Sequence, residues 1–219
     1  EVSMVAEPEV VGSPAGLRPA RLSRVASADA ASAVPFIGAY SITGGLGGLG
    51  LVAATLLVDR GATRVVLISR SAKVLRSEQG LELRLQALGE VAEILALDCA
   101  YRNEVRAMLE HHQTNGVLHA AGVVLHQPLV NSIYRRFRQA LGPKASSAGR
   151  IHAAAATAPL DAMLLMSSHG SVLGGKGMCT YASSCSGLDA LSRSRRSRGL
   201  LGCSLQWPSV SGVGMGASV

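Results

Sequence analysis

Aromatic residues are scarce in this chain: two Phe, one Trp and four Tyr among 219 residues. Proteins that bind single-stranded nucleic acid stack successive bases on aromatic side chains, and these platforms are largely missing here. No helix-turn-helix or finger signature stands out either, so the expectation is no nucleic-acid partner. Cysteines are few, at positions 99, 179, 185 and 203, and none stands in a C-x-x-C spacing. That pattern fits neither a disulfide framework nor a zinc site, and it predicts a reduced, cytoplasmic chain with no bound metal. No apolar run approaches the roughly 20 residues of a membrane span. No basic region followed by an apolar segment marks a secretory signal. What charge there is gathers in short stretches: Arg135, Arg136 and Arg138 in one, Arg193, Arg195, Arg196 and Arg198 in another, within a net charge of +7. A basic surface of this kind suits an anionic cofactor and an acidic protein partner.

Glycine, by contrast, is plentiful, and its placement carries information. The stretch Thr43, Gly44, Gly45, Leu46, Gly47, Gly48, Leu49, Gly50 follows an apolar run at 39–43 and opens an apolar helical pattern at 51–58. A glycine-rich strand-to-helix turn lets the backbone approach a pyrophosphate, which then sits on the positive end of the helix. The stretch satisfies both G-x-G-x-x-G and T-G-x-x-x-G-x-G, in the strand-then-helix context that a dinucleotide site requires. The residue that reads the adenosine ribose comes about 20 positions later. There the second apolar run, 64–68, ends in Ser69 and Arg70, with no acid at its tip. A guanidinium grips a 2′-phosphate where a carboxylate would repel it, so the expected cofactor is NADPH; a plain solvated loop charge is the alternative for Arg70.

From residue 39 onward, apolar runs at 39–43, 64–68, 91–96, 116–120, 161–167 and 201–207 alternate with helical patterns. The helical stretches fall near 49–60, 77–89, 101–112, 132–156 (broken at Gly142-Pro143) and 178–198. Such alternation predicts an α/β fold, a Rossmann-type doubly wound parallel sheet in a single domain at 39–219. Residues 1–38, rich in Ala, Ser and Pro without periodicity, read as an irregular tail: a linker or the remnant of a preceding subdomain. In a doubly wound fold, ligands bind at the carboxyl ends of the strands. The glycine turn, Arg70, Asp98 with Cys99, Ala120-Ala121-Gly122, Ser167-Ser168 and Pro208 all fall at those ends. Asp98 reads either as a cofactor contact or as the N-cap of the helix that follows. His111 and His112 read as a solvated helix end, His119 as a structural hydrogen-bonder, and His169 as a neighbour of the candidate site.

Reducing a carbonyl requires a hydride at carbon and a proton for the developing alkoxide. Tyr, with an ordinary pKa near 10, gives up its proton readily only beside a cation, and a serine hydroxyl can hold the substrate oxygen. Ser168 is followed by Tyr181 thirteen residues later, an arrangement that resembles the short-chain dehydrogenases/reductases. With the glycine turn, His119-Ala120-Ala121-Gly122-Val123 and Leu205-Gln206-Trp207, residues 39–216 resemble more closely the ketoreductase domain of a type I polyketide synthase or an animal-type fatty acid synthase. Ordinary short-chain dehydrogenases place a Lys four residues after the Tyr, but here that position is Cys185. The ketoreductase pattern takes its Lys from an earlier Gly-Pro-Lys, matched by Gly142-Pro143-Lys144, twenty-four residues before Ser168. The resemblance implies Tyr181 as acid, Ser168 and Lys144 as its helpers and Cys185 in the place of a usual Asn. Asp98 would contact adenine, and Pro208 would stand near the nicotinamide. It implies reduction of a β-ketoacyl thioester held on an acyl carrier protein, with other synthase domains as partners. The chain departs from the family at Cys185, at Pro208 directly after Trp207 and at Val124-Leu125-His126, where a Leu-Asp-Asp motif is absent; the expected Trp is also missing near Leu173. A thiol is a poorer donor and acceptor than an amide. Two alternatives therefore stay open: a catalytically silent scaffold domain, and a free-standing reductase of small carbonyl compounds.

Overall fold

The computed structural model describes the backbone of residues 10–13 and 16–19, and residues 35–217 except 76, 132 and 157–159. The chain divides into two compact units, Glu1–Val34 and Pro35–Val219. The first holds a two-stranded antiparallel hairpin, β1 (Val10–Ser13) with β2 (Gly16–Pro19), in register Val10↔Pro19 through Ser13↔Gly16. No periodic signal marks these strands in the sequence, because four residues are too few to set one up.

The second unit is built on six parallel strands: β3 (Gly38–Thr43), β4 (Ala62–Ser69), β5 (Ala92–Ala96), β6 (Thr114–His119), β7 (Ala162–Ser168) and β8 (Cys203–Trp207). They lie in the order β5-β4-β3-β6-β7-β8, so the chain starts in the middle, winds to one edge and returns to build the other half. This is the doubly wound topology expected, with its switch point between β3 and β6. The strands alternate their side chains between two cores. Val66, Ile68, Val117, Met163 and Leu165 pack under α3 (Arg102–His111), α5 (Ser147–Ala154) and α7 (Cys179–Ser197). Val65, Leu67, Leu118 and Met166 pack on the other face with α1 (Gly48–Asp59) and α2 (Leu81–Leu88). Burial on both faces is why the central strands read as unbroken apolar runs. Edge strand β5 differs, with Ile94 exposed.

Two helical stretches are interrupted, each for a local reason. At 77–89, Gly80 adopts φ 66°, which ends a short 3-10 turn at Ser77–Gln79 and restarts the chain as α2. At 132–156, α4 (Tyr134–Leu141) gives way to a π-helical turn, Gly142–Ser146, before α5 begins. Pro143 has no N–H to donate to the helical ladder, so the wider turn absorbs the fault, and such turns recur at functional sites. A short helix, α6 (Gly170–Leu173), follows β7 and lies outside the predicted elements.

Candidate active site

The glycine turn closes tightly over the ends of the central strands. Gly44 has φ +69°, and a Cβ on it would come within 2.8 Å of the Ala121 backbone. Any side chain there would push β3 and β6 apart at the switch point. Gly45 donates to Ile68 O at 3.2 Å, and a Cβ on it would stand 2.7 Å from Ile42 O. Helix α1 follows, with Gly47 at its N-cap position, no side-chain cap and no acid in its first turn. Its leading N–H groups are left for a ligand, and the helix end favours an anion.

A cleft of about 560 Å³ opens over this turn. It is lined by Thr43, by Gly44, by residues 46–50, by Ser69, Arg70, Asp98 and Cys99, and by Ala120, Ala121 and Gly122, all anticipated from sequence. Gly45 packs against Leu67 instead, and Pro208 lies exposed beyond β8, outside the cleft lining. Ser69 Oγ is buried without a hydrogen-bond partner, an orphan that a ligand hydroxyl or phosphate would satisfy. The backbone cradle, the free helix end, Arg70 and this orphan hydroxyl together fit a dinucleotide.

Asp98 corrects one expectation: its Oδ1 accepts from Ala100 N at 2.9 Å, closing a local turn, while the N-cap position of α3 belongs to Tyr101. The aspartate sits one turn too early to reach the helix's free N–H groups. Burial, with Asp98 beside it, pushes the Cys99 thiol up to about 12, which makes it inert. No sequence motif marks the far wall. Gln79 and Gly214 hold one another there, Gly214 N donating to Oε1 at 2.8 Å and Nε2 donating to Gly214 O at 3.2 Å. Pro143, Ser147 and Met215 also line the cleft.

Beside the cleft, four anticipated residues converge. Tyr181 and Cys185, one turn apart on the buried face of α7, meet Ser168 at the end of β7 and Lys144 in the π-turn. The Tyr181 side chain hydrogen-bonds both Ser168 and Cys185. Lys144 is 3% exposed; its Nζ lies 5.4 Å from the Tyr181 ring centre and donates to Met166 O at 2.6 Å. The ammonium therefore sits over the ring face, a cation–π contact, with one of its hydrogens held by backbone. Gly122 joins this group to the cleft, since a Cβ there would stand 3.2 Å from Lys144 Cε. Burial, reinforced by Cys185 and opposed by the Ser168 hydrogen bond, pushes Tyr181 up to about 12. Burial lowers the Lys144 pKa, against the pull of Cys185 and Asp189.

Two buried polar groups hold this arrangement in place. His119 is fully buried; its Nε2 donates to Lys144 O at 2.9 Å, which leaves Nδ1 to accept from Thr43 Oγ1 at 2.6 Å. It thus ties the glycine turn to the lysine turn, in the structural role expected of it. Asp189, one turn beyond Cys185, has no counterpart in the sequence reading. It accepts from Ser171 Oγ at 2.7 Å, from Gln206 Nε2 at 2.8 Å and from Ser204 Oγ, pinning α7 to α6 and β8. Burial works to raise its carboxyl, but these hydrogen bonds outweigh it and hold the pKa below the usual value.

A family profile described as KR domain matches residues 38–212. The chain belongs to the ketoreductase (KR) domain family. It is 37% identical to 6-methylsalicylic acid synthase of Penicillium terrestre over 199 residues, which is 82% of this chain and 11% of that protein. It is 40% identical to a phenolphthiocerol/phthiocerol polyketide synthase protein of Mycobacterium tuberculosis over 205 residues, 89% of this chain and 11% of that one. Among solved structures, an A-type ketoreductase of a modular polyketide synthase superposes with a TM-score of 0.86 at 31% identity, covering 99% of this chain and 47% of that one. The first ketoreductase of the tylosin synthase gives 0.80 at 33% identity, covering 97% and 47%. The chain thus spans about a tenth of these curated relatives and under half of these solved structures. A ketoreductase domain of this fold uses a nicotinamide cofactor, and the cleft described above fits one.

One histidine of the ketoreductase domain departs from the solvated helix end expected of it. His112 is 4% exposed, not solvated; its carbonyl accepts from Arg64 at 2.7 Å and its ring packs edge-on against His111. The helix end turns inward there to meet β4, a long-range contact with no local signature. His169 donates through Nδ1 to Trp207 O at 3.0 Å, so that face of its ring is engaged by β8.

Proposed function

We propose that this ketoreductase domain reduces a β-ketoacyl thioester to the β-hydroxyacyl thioester with NADPH, during polyketide or fatty acid chain extension. The observation that carries the proposal is the convergence of Tyr181, Ser168 and Lys144 at the strand ends beside the glycine cradle. A bound nicotinamide supplies the hydride. The N–H groups at the start of α1 would hold the pyrophosphate, Ser69 and Arg70 the ribose end with its 2′-phosphate, and Asp98 would lie near the adenine. Ser168 Oγ would hold the ketone oxygen. With a pKa near 12, Tyr181 stays protonated at ordinary pH and has a proton to give as that oxygen becomes an alkoxide. Lys144, over the Tyr181 ring, favours the phenolate left behind.

The same reading takes residues 1–38 as a linker or the remnant of a preceding subdomain; the separate compact unit at Glu1–Val34 supports the second. A second functional reading, a silent scaffold domain, is favoured by one observation. Cys185 fills the position of the relay amide and is completely buried, and burial raises its pKa despite Lys144. NADPH consumption with a β-ketoacyl N-acetylcysteamine thioester separates the two. Turnover is expected in the parent chain, and Tyr181→Phe should abolish it while leaving cofactor binding within about twofold. A parent that binds NADPH without turnover, or a Phe variant as fast as the parent, would overturn the assignment.

A further inference from the structure

Charge is divided unevenly along this chain. Residues 111–219 hold ten of the 21 Lys and Arg but only two of the 14 acids, Asp161 and Asp189, so this half carries +8 and the other half −1. Both acids are engaged, Asp189 in the network around α7 and Asp161 with Asn115 Nδ2 at 3.1 Å. The two basic clusters have different fates. At the end of α7, Arg195 is 3% exposed and donates to Leu201 O and to His152 Nδ1, both at 2.7 Å. Arg196 donates to Ser192 Oγ at 2.6 Å and Gly202 O at 2.8 Å. Those two close the helix onto the start of β8, where cations also suit the helix end; a partner cannot recruit them freely.

On α4 the reverse holds. Arg135, Arg136 and Arg138 are exposed, and none is in an ion pair among the described residues; the Arg138 guanidinium stands 5.8 Å from the Tyr134 ring centre. They adjoin exposed apolar side chains: Val130 at 92%, Leu129 and Ile133 at 63%, and Tyr134 at 76%. This stretch leaves the cleft at Val123 and is tied through Gln127 N to Gly177 O at 2.9 Å, just before α7. From there α4 runs back into the π-turn that carries Lys144. Basic and apolar groups therefore stand together on the segment that joins the cleft to the Lys144 turn.

We infer that α4 and the turn before it form the docking surface for an acidic carrier protein that delivers the thioester. This rests on the thioester reading above. Complementary charge would steer the partner to the cleft, and the central apolar side chains would be covered on contact. A phosphate backbone offers nothing to Leu129, Val130 and Ile133, which favours a protein over nucleic acid.

The test compares the parent with an Arg135→Glu, Arg136→Glu, Arg138→Glu variant in two measurements. One is NADPH consumption with the β-ketoacyl group on a polyketide-synthase carrier protein and on N-acetylcysteamine. The other is direct binding of the unloaded carrier protein, which reads docking even in a silent domain. The triple variant should lose on the order of tenfold in kcat/KM for the carrier-bound substrate and in carrier binding, with the small thioester unchanged. Added salt should reproduce that loss in the parent. Val130→Asp, on a fully exposed side chain, should weaken carrier binding independently, whereas Arg193→Glu with Arg198→Glu should leave it intact. Carrier binding that ignores the three arginines would overturn the inference. So would parent binding to oligonucleotides or anionic phosphatidylglycerol vesicles in its place. Failure of the parent on both thioesters, with arginine-dependent carrier binding retained, would overturn the reductase reading and support the surface.

Discussion

His119 couples the two halves of the site, and acid should act on it directly. Burial, with the nearby Lys144 ammonium and against the hydrogen bond to the Lys144 carbonyl, lowers its pKa from 6.5 to about 4. In the unfolded chain the imidazole takes up its proton near 6.5; in the folded chain it does so only near 4. Between those values the unfolded state binds more protons, so stability falls as the pH falls through that window. At about 1.4 kcal/mol per pH unit, the interval from 6.5 to about 4 amounts to roughly 3 kcal/mol. Urea unfolding followed by circular dichroism across this window, on the parent and on His119→Gln, isolates the effect. Gln offers an acceptor toward Thr43 and a donor toward the Lys144 carbonyl, and it does not titrate. His112 and His152, whose pKa values burial also lowers, titrate alike in both chains. The parent should lose roughly 3 kcal/mol more than the variant between the two pH limits. Parallel losses would refute the reasoning, because they would show that the folded chain protonates this ring as easily as the unfolded one.

Two further outcomes bear on the cofactor and the relay. NADPH should bind at least about tenfold more tightly than NADH, and Arg70→Asp should narrow or reverse that preference; equal affinities in the parent, measured by fluorescence titration, would sink the assignment. Cys185→Asn should raise turnover, because an amide both donates and accepts where a thiol does neither well. A parent that neither binds NADPH nor turns over, and gains nothing from Asn, favours the scaffold reading.

The glycine turn, β3 and β4 were legible because each is a local matter. A chain that must bend between a buried strand and a helix needs residues without Cβ at Gly44 and Gly45, and both core faces of β4 demand apolar side chains. Ser168, Tyr181 and Lys144 were legible only through their spacing and a resemblance, since no one of them is unusual alone. Asp189 escaped notice because its partners Ser171, Ser204 and Gln206 come from two other elements. The burial of Arg195 and His112, and the Gln79–Gly214 clamp across 135 residues, are of the same kind. Residue order dictates where strands, helices and tight turns form, because those depend on neighbours a few positions away. Which polar groups end up facing one another depends on the order of strands in the sheet. That order brought Thr43, His119 and the Lys144 carbonyl into one chain of hydrogen bonds, and only assembly of β3 beside β6 puts them within reach.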